Sequence, residues 1–367
     1  MNVPFVDLKA QYRHLKPEID SAIHSVIDET AFIRGKFVEK FEKAYKDKYR
    51  VKRCISCANG TDAIYITLRT LGISSGDEVI TVANSWISTS ETITQTGAKP
   101  VFVDIEPDYF NIDTKKIEEK ITQKTKAIIP VHLYGQPAKI DEIKKICEEY
   151  NFFLIEDCAQ AHFAEYDDQK VGTFGIAGTF SFYPGKNLGA YGDAGAIITN
   201  DDDFGQKARM FANHGSLQKH QHEMEGINSR MDGIRAAILN VKLKYIDEWN
   251  SARYKNALRY NELLSGIPEI KTPKIRDNSS HIFHLYVMRT NKRDELANYL
   301  KSKKISTGIH YPTALPFLPA YKYLGHKPSD FPIACQFQSE ILSLPMFPEL
   351  NNGQVDYVAN SINEFFK

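Results

Sequence analysis

Three stretches of this 367-residue sequence set reactive side chains directly after apolar runs, where a strand would end. In Ala58-Asn59-Gly60-Thr61-Asp62 a glycine turn leads into a helix start. The unpaired N–H groups and positive dipole end of that helix suit a phosphate, although the segment read alone fits better a helix merely capped by Thr61 or Asp62. In Leu154-Ile155-Glu156-Asp157-Cys158-Ala159-Gln160 an apolar run delivers a carboxylate and, three residues on, an amide. A buried acid is costly unless a cation pairs with it, and a protonated ring nitrogen would be such a cation; a helix N-cap is the equal alternative. The third stretch, Thr179 to Gly195, holds Lys186 just after Pro184 and among Gly185, Gly189 and Gly192. A backbone so built can approach a ligand closely, and Schiff-base chemistry needs an amine constrained in this way. The plainer alternative is a solvated loop lysine. These glycines do not form G-x-G-x-x-G, and no G-x-x-x-x-G-K-[ST] loop exists, which removes the usual support for a nucleotide cofactor.

Metal and redox chemistry find less support. Cys54 and Cys57 form a lone C-x-x-C, but a structural zinc site needs a second pair, so two small apolar residues on a buried strand are the better reading. His220 and His222 read as a polar loop rather than an H-x-H metal pair. Five cysteines make no disulfide framework. With 46 basic and 46 acidic residues, no net field draws the chain to nucleic acid or an anionic membrane, and a small-molecule substrate is expected. Pro4, Asp7 and Lys9 stand where a signal peptide would be apolar, and no run approaches the ~20 apolar residues of a membrane span. A cytoplasmic location with reduced thiols follows as an expectation.

Bringing the three stretches to one place requires a sheet whose strands end together. Phe37, Phe41 and Tyr45 recur every four residues, the period of a helix over residues 36–48. Strands are expected at 53–58, 78–82, 100–104, 126–133, 152–157, 178–183 and 194–200. Helices alternate with them at 61–70, 88–95, from 115, and 140–150. Near-continuous Val, Ile, Leu and Phe runs predict a mostly parallel mixed sheet covered by helices on both faces, with the ligand outside its carboxyl edge. A long helical stretch over 231–264, stopped at Gly266-Ile267-Pro268, leads to a second body. There a strand at 284–289, a helix at 292–303, a short strand ending at His310 and helices near Cys335 and the C-terminus predict a smaller α/β domain. The expected division is a large domain at 1–240 and a small C-terminal one at 241–367.

The ordered set PFVDLKAQY, ANGTDAI, GDEVITVANSWIST, VFVDIEPDYFNID, PVHLYGQPA, IEDCAQAH, TFSFYPGKNLGAYGDAGAI, NSRMDGIRAAIL, GIHYP and LSLPMFPEL resembles the DegT/StrS family of sugar aminotransferases along the whole chain. The resemblance implies the fold-type I (aspartate aminotransferase) architecture, with pyridoxal 5'-phosphate as cofactor and pyridoxamine 5'-phosphate as its aminated form. By the same resemblance Lys186 holds the cofactor covalently and moves the proton, Asp157 pairs with its ring nitrogen, and Gln160 touches its phenolic oxygen. Trp86 would stack on the ring, displacing a plain core-tryptophan reading. Gly60, Thr61 and Ser181 would hold the phosphate, joined by Asn228 from a neighbouring subunit, so a homodimer with active sites at its interface is implied. L-glutamate and a nucleotide-linked keto-sugar are the implied substrates.

Relatives that aminate C-4 typically carry a histidine two residues after the serine of the lysine strand, and a glutamate further on. Tyr183 and Gly192-Asp193 stand there instead. FYPGKNLGAYGDAGA therefore resembles enzymes acting on C-3 of a dTDP-linked 3-keto-6-deoxyhexose or of a UDP-linked 3-keto-uronic acid, with the dTDP sugar favoured. Similarity turns Tyr183, Arg230, His310 and Tyr311 toward the substrate; Arg230 also reads as an ordinary surface charge. A family dehydratase would carry histidine in place of Lys186. A non-catalytic regulator of the same fold should have lost some of Lys186, Asp157 and Gln160.

Overall fold

The computed structural model describes residues 1–367. Helices α1 (Leu8–Asp28) and α2 (Lys36–Tyr49) precede strand β1 (Arg53–Cys57), and then come α3 (Gly60–Thr70), β2 (Glu78–Val82), α4 (Ser88–Gln95), β3 (Lys99–Val103) and β4 (Thr125–Ile129). α5 (Ile140–Tyr150), β5 (Phe153–Asp157), a two-residue hairpin β6 (Glu165–Tyr166) and β7 (Gln169–Lys170), β8 (Ala177–Ser181), β9 (Gly195–Thr199) and α6 (Asp202–Phe211) follow. The seven-stranded sheet runs β1-β9-β8-β5-β4-β2-β3. β9 alone is antiparallel to its neighbours, so six strands deliver their carboxyl ends to one edge. Register aligns that edge: Cys57 and Ser181 both stand opposite Gly195, and Asp157 stands opposite Thr179.

Apolar side chains on both faces hold the sheet. On α2, Val38, Phe41, Tyr45 and Tyr49 are buried, and their rings meet Phe180 and Phe182 of the β8 region. α5 buries Ile140, Ile143, Ile146 and Cys147, one helical stripe, against the other part of the sheet. Cys54 and Cys57 lie buried on β1 in different core clusters, and burial pushes both thiols up. They are free apolar residues, as expected.

Beyond α6, α7 (Gly233–Lys242) and α8 (Ile246–Leu264) lead to β10 (Tyr286–Arg289), α9 (Arg293–Ser302), α10 (Pro332–Glu340), β11 (Ile341–Leu344) and α11 (Asn352–Phe366). β10 and β11 pair antiparallel, and α8, α9 and α11 bury Tyr260, Leu296, Val358 and Ile362 in the core beside them. Val3 joins this cluster and bridges to Ile305. No helix is long and apolar enough to cross a membrane.

Several expectations are corrected. The helix from Lys115 is two 3-10 turns, Thr114–Lys116 and Glu118–Lys120, because Ile121 turns extended and Ile117 alone is fully buried there. The strand over 126–133 stops at Ile129, since Pro130 has no N–H to continue the ladder. The helix over 231–264 is broken between Lys242 and Ile246. The strand ending at His310 is reduced to isolated bridges at Ile305 and Gly308. α1, α6 and β11 lie outside the elements expected from the sequence.

Candidate functional site

Asp157 ends β5 with its side chain buried. Its Oδ2 accepts from Thr89 Oγ1 at 2.7 Å and its Oδ1 from the Ala159 N–H at 3.1 Å, so the acid caps a turn rather than a helix. Burial pushes its pKa up, opposed by these donors and by the Lys186 charge. No cation lies within ion-pair distance, which leaves a buried carboxylate able to receive one.

Lys186 is carried on the loop after β8, turned by its N–H donating to the Tyr183 carbonyl at 2.8 Å. Gly189 is required there: a Cβ would stand 2.3 Å from the Pro184 carbonyl oxygen. Burial lowers the Lys186 amine to about 8, with Asp157 the one charge raising it. Burial, helped by the same ammonium, holds His310 down to about 4 and lowers His284 well below the usual imidazole range.

Gln160 Oε1 accepts from the Tyr134 N–H at 2.6 Å, and its Nε2 donates to Tyr311 Oη at 3.1 Å. Tyr311 also lies 5.6 Å from the Trp86 ring, centroid to centroid. Trp86 is 58% exposed, an aromatic face open at the mouth of the site. Tyr183, 59% exposed, stands beside Gly185 on the same loop.

At the start of α3 the cap is Asn59, whose side chain accepts from the Asp62 N–H at 2.7 Å; neither Thr61 nor Asp62 caps it. First-turn N–H groups have no intrahelical acceptor, so those of Gly60 and Thr61 remain for a ligand. A Cβ on Gly60 would meet Ser181 Cβ at 2.6 Å, so glycine is what lets this turn close on Ser181. The Thr61 hydroxyl is engaged with Ser88 Oγ at 2.7 Å.

The structure therefore gathers Gly60, Thr61, Trp86, Asp157, Gln160, Ser181, Lys186, His310 and Tyr311 at the carboxyl edge. Asn228 and Arg230 make their contacts elsewhere in this chain. Asn228 is exposed and bridges to Asn213, while the intervening Ser229 donates to Asp62 and accepts from the Ala58 N–H. Arg230 lines a cavity of about 330 Å³ with Arg34, Arg209 and Glu42.

Sequence reasoning did not single out Thr89, which holds Asp157, or His162, whose Nε2 donates to the Ser181 carbonyl at 2.9 Å while its Nδ1 accepts from Tyr45 Oη. Both lie inside motifs that carry the resemblance, GDEVITVANSWIST and IEDCAQAH, but their partners are far along the chain. His132, Glu156 and Cys158 come close enough for a metal. Glu156, however, is saturated by His132 Nε2 and the N–H groups of Gly172, Phe174 and Gly175, and His132 Nδ1 accepts from Ala138. The trio is a satisfied core network.

These residues fit the group that the motifs imply. An unpaired buried carboxylate, an unpaired amine of lowered pKa, an open aromatic face and a glycine cradle beside a helix start match a ring nitrogen, an aldehyde, a planar ring and a phosphate.

Comparisons with known proteins agree. The family described as DegT/DnrJ/EryC1/StrS aminotransferase matches residues 13–363. The "pleiotropic regulatory protein" of Geobacillus stearothermophilus is 47% identical, over 100% of this chain and 99% of its own. The dTDP-3-amino-3,6-dideoxy-alpha-D-galactopyranose transaminase of Aneurinibacillus thermoaerophilus is 41% identical, over 99% of each. The crystal structure of DesV from S. venezuelae superposes with a TM-score of 0.98 at 38% identity, covering 100% of this chain and 99% of that one.

Proposed function

The chain belongs to the DegT/DnrJ/EryC1/StrS aminotransferase family, and from that premise we propose that it transfers the amino group of L-glutamate to the C-3 keto group of a dTDP-linked 3-keto-6-deoxyhexose. The protein is a transferase of the aminotransferase class, and its cofactor is pyridoxal 5'-phosphate. The observation that carries the reading is the convergence at one sheet edge of Asp157 at the end of β5, Gln160 just beyond it, Gly60 closed on Ser181 at the end of β8, and Lys186 on the loop that follows β8.

When bound, pyridoxal phosphate supplies an aldehyde carbon to carry the amine and a ring to withdraw electrons. Asp157 keeps the ring nitrogen protonated. Gln160, its oxygen already occupied, offers Nε2 to the phenolic oxygen. Gly60, Thr61 and Ser181 receive the phosphate on main-chain N–H groups and a hydroxyl, and Asn228 of a second subunit completes that cradle. Lys186 Nζ takes the proton from the carbon of glutamate and returns one to C-3 of the sugar, acting as base and then acid. Trp86 covers the ring, and Tyr183, His310 and Tyr311 face the sugar. Glutamate leaves as 2-oxoglutarate, and the sugar leaves as a dTDP-3-amino-3,6-dideoxyhexose.

C-3 is supported by Tyr183 and Gly192-Asp193 in the lysine loop, and the dTDP carrier by the name of the Aneurinibacillus relative. A purely regulatory role, which the name of the Geobacillus relative would suggest, leaves the retained Lys186, Asp157 and Gln160 without purpose. The reading also entails a homodimer working in the cytoplasm. Its test is to supply glutamate with dTDP-3-keto-6-deoxyglucose, its galacto epimer and a UDP-linked 3-keto-uronic acid in turn. Amination of a dTDP sugar is expected. Amination of the UDP sugar alone would move the carrier, and amination of none would overturn the reading.

A further inference from the structure

We propose that Tyr134 is a positioning residue that holds the substrate-facing pair His310–Tyr311 in place while its own main chain orients Gln160. The inference rests on the reading of the Lys186 cluster as the catalytic site. Tyr134 lies in the turn after β4, buried, with φ at +60°, where residues bearing a side chain are uncommon. That backbone points its N–H at Gln160 Oε1, 2.6 Å away. With its oxygen committed, the Gln160 amide has a fixed orientation, and Nε2 is left to reach Tyr311 Oη.

The other end of the residue reaches the same place from the opposite side. Tyr134 Oη donates to the His310 carbonyl oxygen and accepts from Asn84 Nδ2 at 3.3 Å. Phe110 packs edge-on against the ring at 5.4 Å, so the phenol has little room to swing away. On its far side the His310 ring is set by Ser343 Oγ at 2.8 Å and by Phe5 stacked at 5.5 Å. One residue thus ties the Gln160 amide, at the end of β5, to the His310 main chain of the C-terminal body. The turn that bears Gln160 and the segment that bears Tyr311 are registered to each other through it.

Tyr134→Phe removes the hydroxyl arm and leaves the ring and the N–H arm. Two measurements test it. In steady state, KM for the keto-sugar should rise on the order of tenfold while kcat changes by less than about twofold. In the cofactor-free protein, amide exchange of Gly308, Ala314 and Leu315, the hydrogen-bonded amides that flank the pair, should quicken at least about tenfold with the rest of the chain unchanged. Asn84→Ala should move both readouts the same way by less. An unchanged KM, or unchanged exchange at Gly308, Ala314 and Leu315, overturns the inference. So does faster exchange throughout the chain, which would mean a general folding role. If the wild-type protein aminates a sugar and the variant matches it, this inference alone falls; if the wild-type protein aminates none, the reading beneath it falls.

Discussion

Burial sets what Lys186 can do at neutral pH. With its pKa lowered to about 8, roughly a tenth of the amine is neutral at pH 7, against about one part in three thousand for a free lysine. Capture of pyridoxal phosphate by the cofactor-free protein should therefore quicken with pH and level off just above pH 8. Stopped-flow absorbance reads this directly, and a profile still climbing at pH 10 would mean an ordinary lysine. For Asp157→Asn, which removes the charge and keeps the shape, kcat should fall on the order of a hundredfold or more, with the cofactor still bound. Lys186, Asp157 and Gln160 stand out in the sequence because glycine, apolar and polar residues are arranged locally around each, while their roles come from the resemblance of the motifs to the family. Thr89, His162 and Tyr134 do not, because what gives each its role is a partner brought from a distant part of the chain.

At the scale of elements, the site depends on strands and turns ending at one edge, and Gly60 is where that convergence is tightest. Gly60→Ala should drive the first turn of α3 off Ser181 and weaken cofactor binding on the order of tenfold. The melting midpoint of the cofactor-free protein should fall as well, since the added Cβ meets Ser181 Cβ at 2.6 Å and its Cα at 3.0 Å; equilibrium titration beside thermal melting separates the two effects. Strands β2 and β5 and helices α4 and α5 were legible because apolar runs and helical stripes are bounded by Gly, Pro and polar residues. The helix expected from Lys115 does not form because Ile117 is the one fully buried apolar side chain of the stretch and Ile121, four residues on, already turns extended. α1 escaped notice because it is largely polar and contains Pro17. The long stretch after Met231 reads as one helix because nothing local marks the break at Leu243 to Tyr245. Packing decides it: Leu239, Leu243 and Ile246 enter the same core from both sides of the turn.

The whole molecule keeps several imidazoles neutral. Burial lowers His162 and His281 to about 3 and His310 to about 4. Unfolding lets each return to about 6.5 and take up a proton, so between pH 4 and 6.5 the unfolded chain binds more protons and stability rises with pH. The cofactor-free protein should lose thermal midpoint steadily from pH 7 to pH 5, a range where most carboxylates remain ionised; a flat profile there would contradict these burials. The proposed dimer makes a separate prediction. If Asn228 serves the partner's site, mixing Lys186→Ala with Asn228→Ala protomers should restore activity, because each mixed dimer regains one intact site. No recovery after verified exchange of subunits would place Asn228 in its own protomer's site.

The most direct measurement follows nitrogen from 15N-labelled glutamate into the dTDP-linked 3-keto-6-deoxyhexose by mass spectrometry, with the wild-type protein and with Lys186→Ala. The wild-type protein should label the amino-sugar and show the absorbance band of the lysine-bound cofactor. The variant, folded with an unchanged far-UV spectrum, should lose that band and on the order of a thousandfold or more of the transfer rate. Labelled sugar formed at an undiminished rate by the variant would contradict the account.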